Sequence, residues 1–362
     1  MWIDPMTDTS ATSARQPLPK YRAIVMTWPW LGAACAIIVV FLFAAAPAWL
    51  NRSLVQDMIS VFYMLALAQC WNLLAGYSGL VSVGQQAFVG LGGYLIFALT
   101  LLAPLDPLLA ILLTAPICAI IAVPTAMVVF RLRGAYFAIG SWVVAEVYRL
   151  VLAQFKQLGG GTGTSLPPSV TNEFAGIEFV KWLFDVRTSA ARDIMTYWIA
   201  LALLAITLIV IYYMLRTRRG LALAAVRDSE IAAESLGVST FRTKLEIYVI
   251  TAALTGMIGA LIYFHKARIS PDAAFSVLDW TAYVIFIVVI GGIGTMEGPI
   301  LGVIIFYLLQ KYLAVYGTWY LILLGTLAIV IMLLAPRGIW GYFAARYNLA
   351  LFPLRRKFER RD

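Results

Sequence analysis

The residues able to do chemistry in this 362-residue chain are few, and they fall into three sets. The first is a polar stretch, Arg227-Asp228-Ser229-Glu230-Ile231-Ala232-Ala233-Glu234-Ser235-Leu236-Gly237-Val238. Asp228 or Ser229 suits a helix N-cap, where a side-chain oxygen accepts from an otherwise orphaned N–H, and Gly237 suits the left-handed position that ends a helix. The spacing predicts about two helical turns between them. So short a helix is unstable alone and needs a surface to hold it. Arg227, Asp228, Glu230, Ala232, Ala233, Glu234, Leu236 and Gly237 are therefore candidates for docking a partner protein, with an ordinary amphipathic connector as the other reading.

The second set is Glu146 and Arg149, three residues apart inside an apolar stretch, on one helix face where each neutralises the other. Charge in such a stretch is costly, so the pair reads either as a structural ion pair or as part of a polar path. Lys311 is ambiguous in the same way. The third set, Gln69, Asn72, Gln85 and Gln86, lies beside glycine-rich interruptions of apolar segments. Amides there suit the path of a neutral or zwitterionic solute, and equally suit hydrogen bonds between helices.

Enzyme chemistry has no foothold in this inventory. No nucleophile sits with a base, no metal-ligand cluster is spaced for binding, and no nucleotide motif is present. The run Gly159-Gly160-Gly161-Thr162-Gly163-Thr164 lacks the Lys-Ser/Thr of a phosphate loop and reads as an external turn. His265 has no companion ligands. Cys35, Cys70 and Cys118 have neither a CxxC spacing nor an even count, so they read as small hydrophobes.

The elements that must position these residues are set by composition. Apolar residues make up 62% of the chain and charged residues 12%, against about 45–50% and about 25% in soluble domains. The apolar surplus arrives in blocks of about 20 residues, the length that spans a bilayer. Ten spans are expected, near 30–50, 54–75, 85–104, 107–130, 135–154, 194–215, 247–264, 279–294, 299–316 and 318–335. The first is too long for a signal-peptide core and follows a long polar leader, so it is kept as a span.

Sorting the 27 basic residues by this topology places eighteen on one side, in the leader, the Arg131–Arg133 loop, the Arg216–Lys244 segment and the tail after Arg337. Seven fall on the other side and two within spans. The positive-inside rule then puts both termini in the cytoplasm, and the excess accounts for the net charge of +9 without nucleic acid. The expected architecture is an all-α polytopic membrane bundle. A leader over 1–28 precedes a membrane domain over 29–340, which has an external loop at 155–193 and a cytoplasmic loop at 216–246. A basic tail over 341–362, suited to anionic lipid, completes the chain.

Two glycine-rich stretches, Gly84–Gly93 and Gly291–Gly302, interrupt or introduce apolar spans. If spans two to five and seven to ten are halves of an internal repeat, the odd offset inverts the second half in the membrane. Interrupted helices in two inverted halves point to a central solute path.

Four motifs in order carry a family resemblance: Asn72-Leu-Leu-Ala-Gly76-Tyr-Ser-Gly79-Leu-Val-Ser-Val-Gly84-Gln-Gln-Ala-Phe88, Arg131-Leu-Arg133-Gly134-Ala-Tyr136-Phe137-Ala138-Ile139, the Arg227–Gly237 helix, and Gly291-Gly-Ile-Gly294 followed by Gly298-Pro299. Together they resemble the LivM-type permeases of branched-chain amino-acid ABC importers over residues 55–340. The resemblance implies a heterodimer with a LivH-type permease, two cytoplasmic ATPases that carry the ATP and Mg, a periplasmic solute-binding protein, and residence in the bacterial inner membrane. No cofactor is expected on this chain itself. Its polar helix matches the coupling-helix region of such permeases, although Ile231 stands where the EAA consensus of ABC importers has Glu. The implied substrates are leucine, isoleucine and valine, with urea, short amides and other amino or aromatic acids as alternatives within related permeases. An ion-coupled carrier is the rival class, for which Glu146 beside Arg149 is a poor coupling group.

Overall fold

The computed structural model describes residues 21–24, 29–335, 337–347 and 357–360. Runs rich in Leu, Ile, Val, Ala and Phe have no water to pair their backbone in a bilayer, so each satisfies its own amides as a helix. The order is α1 (Pro29–Ala45), α2 (Arg52–Asn72), α3 (Gln86–Leu101), α4 (Pro107–Val129), α5 (Ala135–Leu152), α6 (Pro168–Asn172), α7 (Ile177–Phe184), α8 (Thr188–Arg216), α9 (Arg218–Asp228), α10 (Glu230–Ser235), α11 (Thr240–Lys266), α12 (Pro271–Ala274), α13 (Tyr283–Gly291), α14 (Gly298–Leu313), α15 (Thr318–Leu334) and α16 (Gly338–Tyr347). The expected all-α class holds apart from two small antiparallel ladders, β1 (Tyr21–Ile24) with β4 (Lys357–Arg360) and β2 (Thr164–Ser165) with β3 (Arg268–Ile269).

Helix boundaries follow local chemistry. Asp106 caps α4, its Oδ1 accepting from Leu108 N at 2.9 Å, with Pro107 at the first helical position where its missing N–H costs nothing. Gly134 precedes α5 with φ +57°, a turn that a side chain resists.

Among the described residues, eight helical segments are long and apolar enough to cross a membrane, against the ten expected of the whole chain. The third expected span is a shorter apolar helix, Gln86–Leu101, and the first runs along α1 and the single turn Ala46–Ala48 that follows it. For α3 the reason is burial. Its sixteen residues, about 24 Å at helical rise, are wedged inside the protein, where lipid sets no minimum length. The bundle is built around α2 and α11, the most buried of the long helices, while α5 is the most open of those through α14.

Glycine lets α3 reach α11. A Cβ on Gly92 would run into the Gly256 carbonyl, and one on Gly259 into the Val89 carbonyl, so the two backbones cross without intervening side chains. Two spans begin earlier than expected, α8 at Thr188 and α11 at Thr240, which shortens the 155–193 and 216–246 loops. Most of the leader and part of the tail lie outside the described residues, but α16 shows that the tail region opens with a helix.

Contacts sort the loops into two ends. Residues 76–84, 130–134, 217–241, 291–297 and 337–341 gather at a basic end, seen in Arg227 donating to the Gly76 carbonyl, Phe130 against Phe241 at 6.0 Å, and Gly338 against Gly291 and Gly292. At the opposite end Arg52 meets Asp193, Arg149 meets Asp272, and β2 pairs with β3. The Gly291–Glu297 turn lies at the basic end, while the Gly84–Gly93 stretch runs away from it, with Gly93 against Tyr263 and Ile269 near the opposite end.

Candidate functional site

Three sites emerge at the predicted residues, and they differ in how far their side chains reach. At the basic end, α2 does not stop at Asn72 but widens into a π-turn over Leu73–Tyr77. Leu80 N then donates to the Leu74 carbonyl at 2.9 Å, and Ser78 Oγ to the same oxygen at 2.6 Å. One face of α2 reads the second glycine break from there. Gln69 Nε2 donates to the Met296 carbonyl and Asn72 Nδ2 to the Thr295 carbonyl, both at 2.7 Å, while Asn72 Oδ1 accepts from Gly294 N at 2.8 Å. The break holds its own shape through Thr295, whose Oγ1 donates to the Gly292 carbonyl at 2.8 Å and accepts from Gly298 N at 3.1 Å at the start of α14.

Gln85 and Gln86 brace the other side of the crossing. Gln85 Nε2 donates to the Leu67 carbonyl at 2.9 Å, and Gln86 is bonded to the Thr281 hydroxyl. Thr281 belongs to a second π-turn, Leu278–Ala282, between α12 and α13. All four predicted amide residues are thus buried and bonded between helices. One end of the Gln69, Gln85 and Gln86 amides makes these bonds, while Gln69 Oε1, Gln85 Oε1 and Gln86 Nε2 are buried without a hydrogen-bond partner.

The predicted short helix is α10. Ser229 is its N-cap, with Oγ accepting from Ala232 N at 3.3 Å, and Gly237 at φ +82° ends it. Val238 N donates to the Ala233 carbonyl and Gly237 N to the Glu234 carbonyl, the paired bonds of a left-handed helix terminus. Ala233 is buried against the bundle, and Glu230 is tied to Lys244 of α11 at 2.6 Å. Ile231 and Leu236 are each 81% exposed, with Asp228, Glu230 and Glu234 also exposed around them. Arg227 is the exception in this set, because its guanidinium turns inward to Gly76.

At the opposite end, Arg149 donates to Glu146 Oε1 through Nε at 2.9 Å and Nη2 at 2.5 Å, forming the predicted pair. It also donates through Nη1 to Asp272 Oδ1 at 2.7 Å, which ties α5 to the first turn of α12. One guanidinium thus holds two carboxylates from separate elements. Among the described residues, no group of three His, Cys, Asp or Glu side chains is arranged to hold a metal ion.

Residues 53–335 match the family model described as the branched-chain amino acid transport system permease component. The chain belongs to this family. It is 29% identical over 351 residues, 93% of its own length and 77% of the relative's, to the high-affinity branched-chain amino acid transport system permease protein LivM of Salmonella typhimurium. It is also 29% identical over 319 residues to LivM of Escherichia coli, covering 84% of this chain and 74% of that one. The inner membrane ABC transporter permease protein YjfF of Escherichia coli is 31% identical over 146 residues, covering 38% of this chain and 44% of the relative. No solved structure matches. The chain is accordingly a multi-pass membrane permease subunit, not an enzyme.

The permease also contains polar joints that sequence reasoning missed. Asp193 of α8, 2% exposed, accepts from Arg52 Nε at 2.6 Å and Gln56 Nε2 at 3.0 Å of α2. Asp57 of α2 accepts from Tyr307 at 2.6 Å and from Lys311 at 3.0 Å, which accounts for Lys311. Both joints sit at the less basic end. In the external loop, Phe184 rests on Trp198 of α8 at 5.9 Å, while Trp182 is 79% exposed.

Proposed function

We propose that this permease imports leucine, isoleucine and valine across the bacterial inner membrane as one of two channel-forming subunits of an ABC transporter. Its partners in this reading are a LivH-type permease, two cytoplasmic ATPases that bind ATP and Mg, and a periplasmic solute-binding protein. The basic end faces the cytoplasm, in keeping with the positive-inside rule, so α10 faces the ATPases. The observation that carries the reading is α10, a capped helix with Ile231 and Leu236 held outward, in a chain that matches LivM permeases along most of its length. Gln69, Asn72, Gln85 and Gln86 then serve the path by fixing the two breaks relative to one another, and the open face of α5 with Glu146 and Arg149 borders it near the outer end.

The test is reconstitution with the cognate partners in proteoliposomes. Expected is uptake of labelled leucine that needs both ATP and the binding protein and that isoleucine and valine compete away. Uptake by this chain alone, driven by a proton or sodium gradient, would overturn the ABC reading. Binding of urea, an amide or an aromatic acid by the partner protein, with no branched-chain amino acid bound, would overturn the substrate.

A further inference from the structure

We propose that Arg227 is a positioning residue that carries motion of the docking helix to the contact between the α2 π-turn and the Gly291–Gly302 break, and so couples ATP hydrolysis to opening at the basic end. The inference rests on the docking role proposed for α10 but assigns Arg227 a different task from its neighbours. Its guanidinium bonds the Gly76 carbonyl of the membrane domain, with 43% of the side chain left exposed.

The geometry gives that side chain three attachments. Nη1 donates to the Gly76 carbonyl at 3.2 Å, and Nε and Nη2 both reach Asp228 Oδ1 at 3.3 Å, so the fork spans from the α10 approach to the end of α2. The aliphatic stem lies over Gly79, which at φ +74° carries no Cβ; one added there would stand 3.4 Å from Arg227 Cγ. Bare backbone at Gly79 is what admits the arginine.

The carbonyl it reaches is free for a structural reason. In a continuing α-helix the Gly76 carbonyl would accept from Leu80 N, but that N–H is spent on Leu74. Arg227 takes up the acceptor that the π-turn leaves exposed. An arginine is suited to this because its charge strengthens the bond and its planar fork fixes direction.

Beyond Gly76 the load path is short. A Cβ on Gly76 would run into Asn72 Oδ1 and stand 2.6 Å from Gly294 N, so the π-turn at the end of α2 presses on the Gly291–Gly302 break directly and through the Asn72 side chain. Asn72 and Gln69 then grip residues 294–296 one turn further along the same face of α2. Gly338 of α16 abuts Gly291 and Gly292, so the basic-end helix rides on the same point. A π-turn holds one residue more than an α-turn. Relaxing it rotates the downstream backbone by about 100° and shifts it by about 1.5 Å, a large response to a small pull.

The test uses the assembled transporter, with the cognate permease, ATPases and binding protein, and the variants Arg227→Met and Arg227→Lys. Methionine keeps the stem over Gly79 and removes every donor. Expected for Arg227→Met are ATPases that co-purify at the unmutated level, continued ATP hydrolysis, and a fall of about 10-fold in solute moved per ATP, the effect of losing about 1.4 kcal/mol of coupling. Arg227→Lys, whose ammonium cannot bridge both acceptors, should fall about 3-fold; it carries the test if the methionine variant fails to accumulate. A second readout is thiol labelling of a Val81→Cys variant in a background without the native cysteines. Val81, 48% exposed, lies two residues past Gly79 in the segment on which Arg227 rests, and its labelling should depend on nucleotide only while Arg227 is present. An unchanged transport ratio with nucleotide-dependent labelling in both variants would overturn the proposal. So would loss of the ATPases from the complex, which would make Arg227 a docking residue. An unmutated complex that moves solute without ATP would overturn the docking reading itself, and the coupling role with it.

Discussion

Asn72 and Gly294, 222 residues apart in the chain, are joined through a side-chain carbonyl that accepts the glycine N–H at 2.8 Å, while the amide end of the same side chain donates to the next carbonyl at 2.7 Å. One buried asparagine thus satisfies both a donor and an acceptor of a turn that has no regular structure. Leucine at position 72 removes both bonds and leaves two backbone groups unpaired. The expected cost is about 1–3 kcal/mol, read as a lower unfolding temperature of the purified permease. Aspartate should cost more, because it cannot donate to Thr295 and brings an unpaired charge into a buried site. Equal stability of both variants and the parent would show that the turn is held elsewhere.

The α3–α11 crossing gives a prediction from sterics alone. Gly92→Ala places a methyl group against the Gly256 carbonyl, where only backbone can yield. Overpacking of this kind costs about 1–3 kcal/mol. Gly325→Ala in α15 is the matched control, since nothing lies within 4 Å of the added carbon and alanine favours helix. Size-exclusion profiles after graded heating in detergent should lose the Gly92 variant first. A Gly92 variant as heat-resistant as its control would refute the close crossing.

Docking at α10 can be separated from folding because Ile231 and Leu236 are each 81% exposed. Ile231→Asp and Leu236→Asp should leave membrane insertion intact and lower ATPase co-purification about 10-fold, since each replaces an apolar anchor with a charge. Ala233→Pro acts at the inward face and breaks the helix, so it should abolish both docking and transport. Unchanged co-purification in all three variants would move the docking surface off α10.

Features set by neighbouring residues were legible in the sequence, and features set by distant ones were not. The Ser229 cap, the Gly237 terminus and the Glu146–Arg149 pair each depend on residues within one or two helical turns, and each stands where composition placed it. Asp272 joins that pair from 123 residues away, and no local pattern marks it. The expectation of ten full spans fails at α3 because the length rule describes a helix in lipid, and α3 is enclosed by protein. Arg227 was grouped with its neighbours by sequence, yet an arginine's reach of several ångströms lets it point away from the surface its neighbours form. The Arg52–Asp193 joint spans 141 residues and depends on the packing of α2 against α8, which no local pattern marks.

Arg149 offers the sharpest separation between a structural joint and a group that meets solute. It holds Glu146 and Asp272 together, and the second bond ties the end of α5, the most open of the long helices through α14, to the start of α12. Arg149→Gln leaves two carboxylates without their shared cation, and their repulsion should release α5 and lower uptake about 10-fold. Arg149→Lys should fall between, because an ammonium cannot make the three-bond fork. The decisive variant removes all the charge at once. If the cluster is a joint, Arg149→Gln combined with Glu146→Gln and Asp272→Asn should recover to within about 3-fold of the parent, since losing both partners of a polar contact costs far less than leaving one stranded. If the guanidinium itself receives the solute carboxylate, neutralising its partners cannot replace it, and the triple variant will transport as poorly as Arg149→Gln alone. Steady-state uptake at two leucine concentrations measures the difference, because a joint changes the maximal rate and a contact changes the concentration needed to reach half of it.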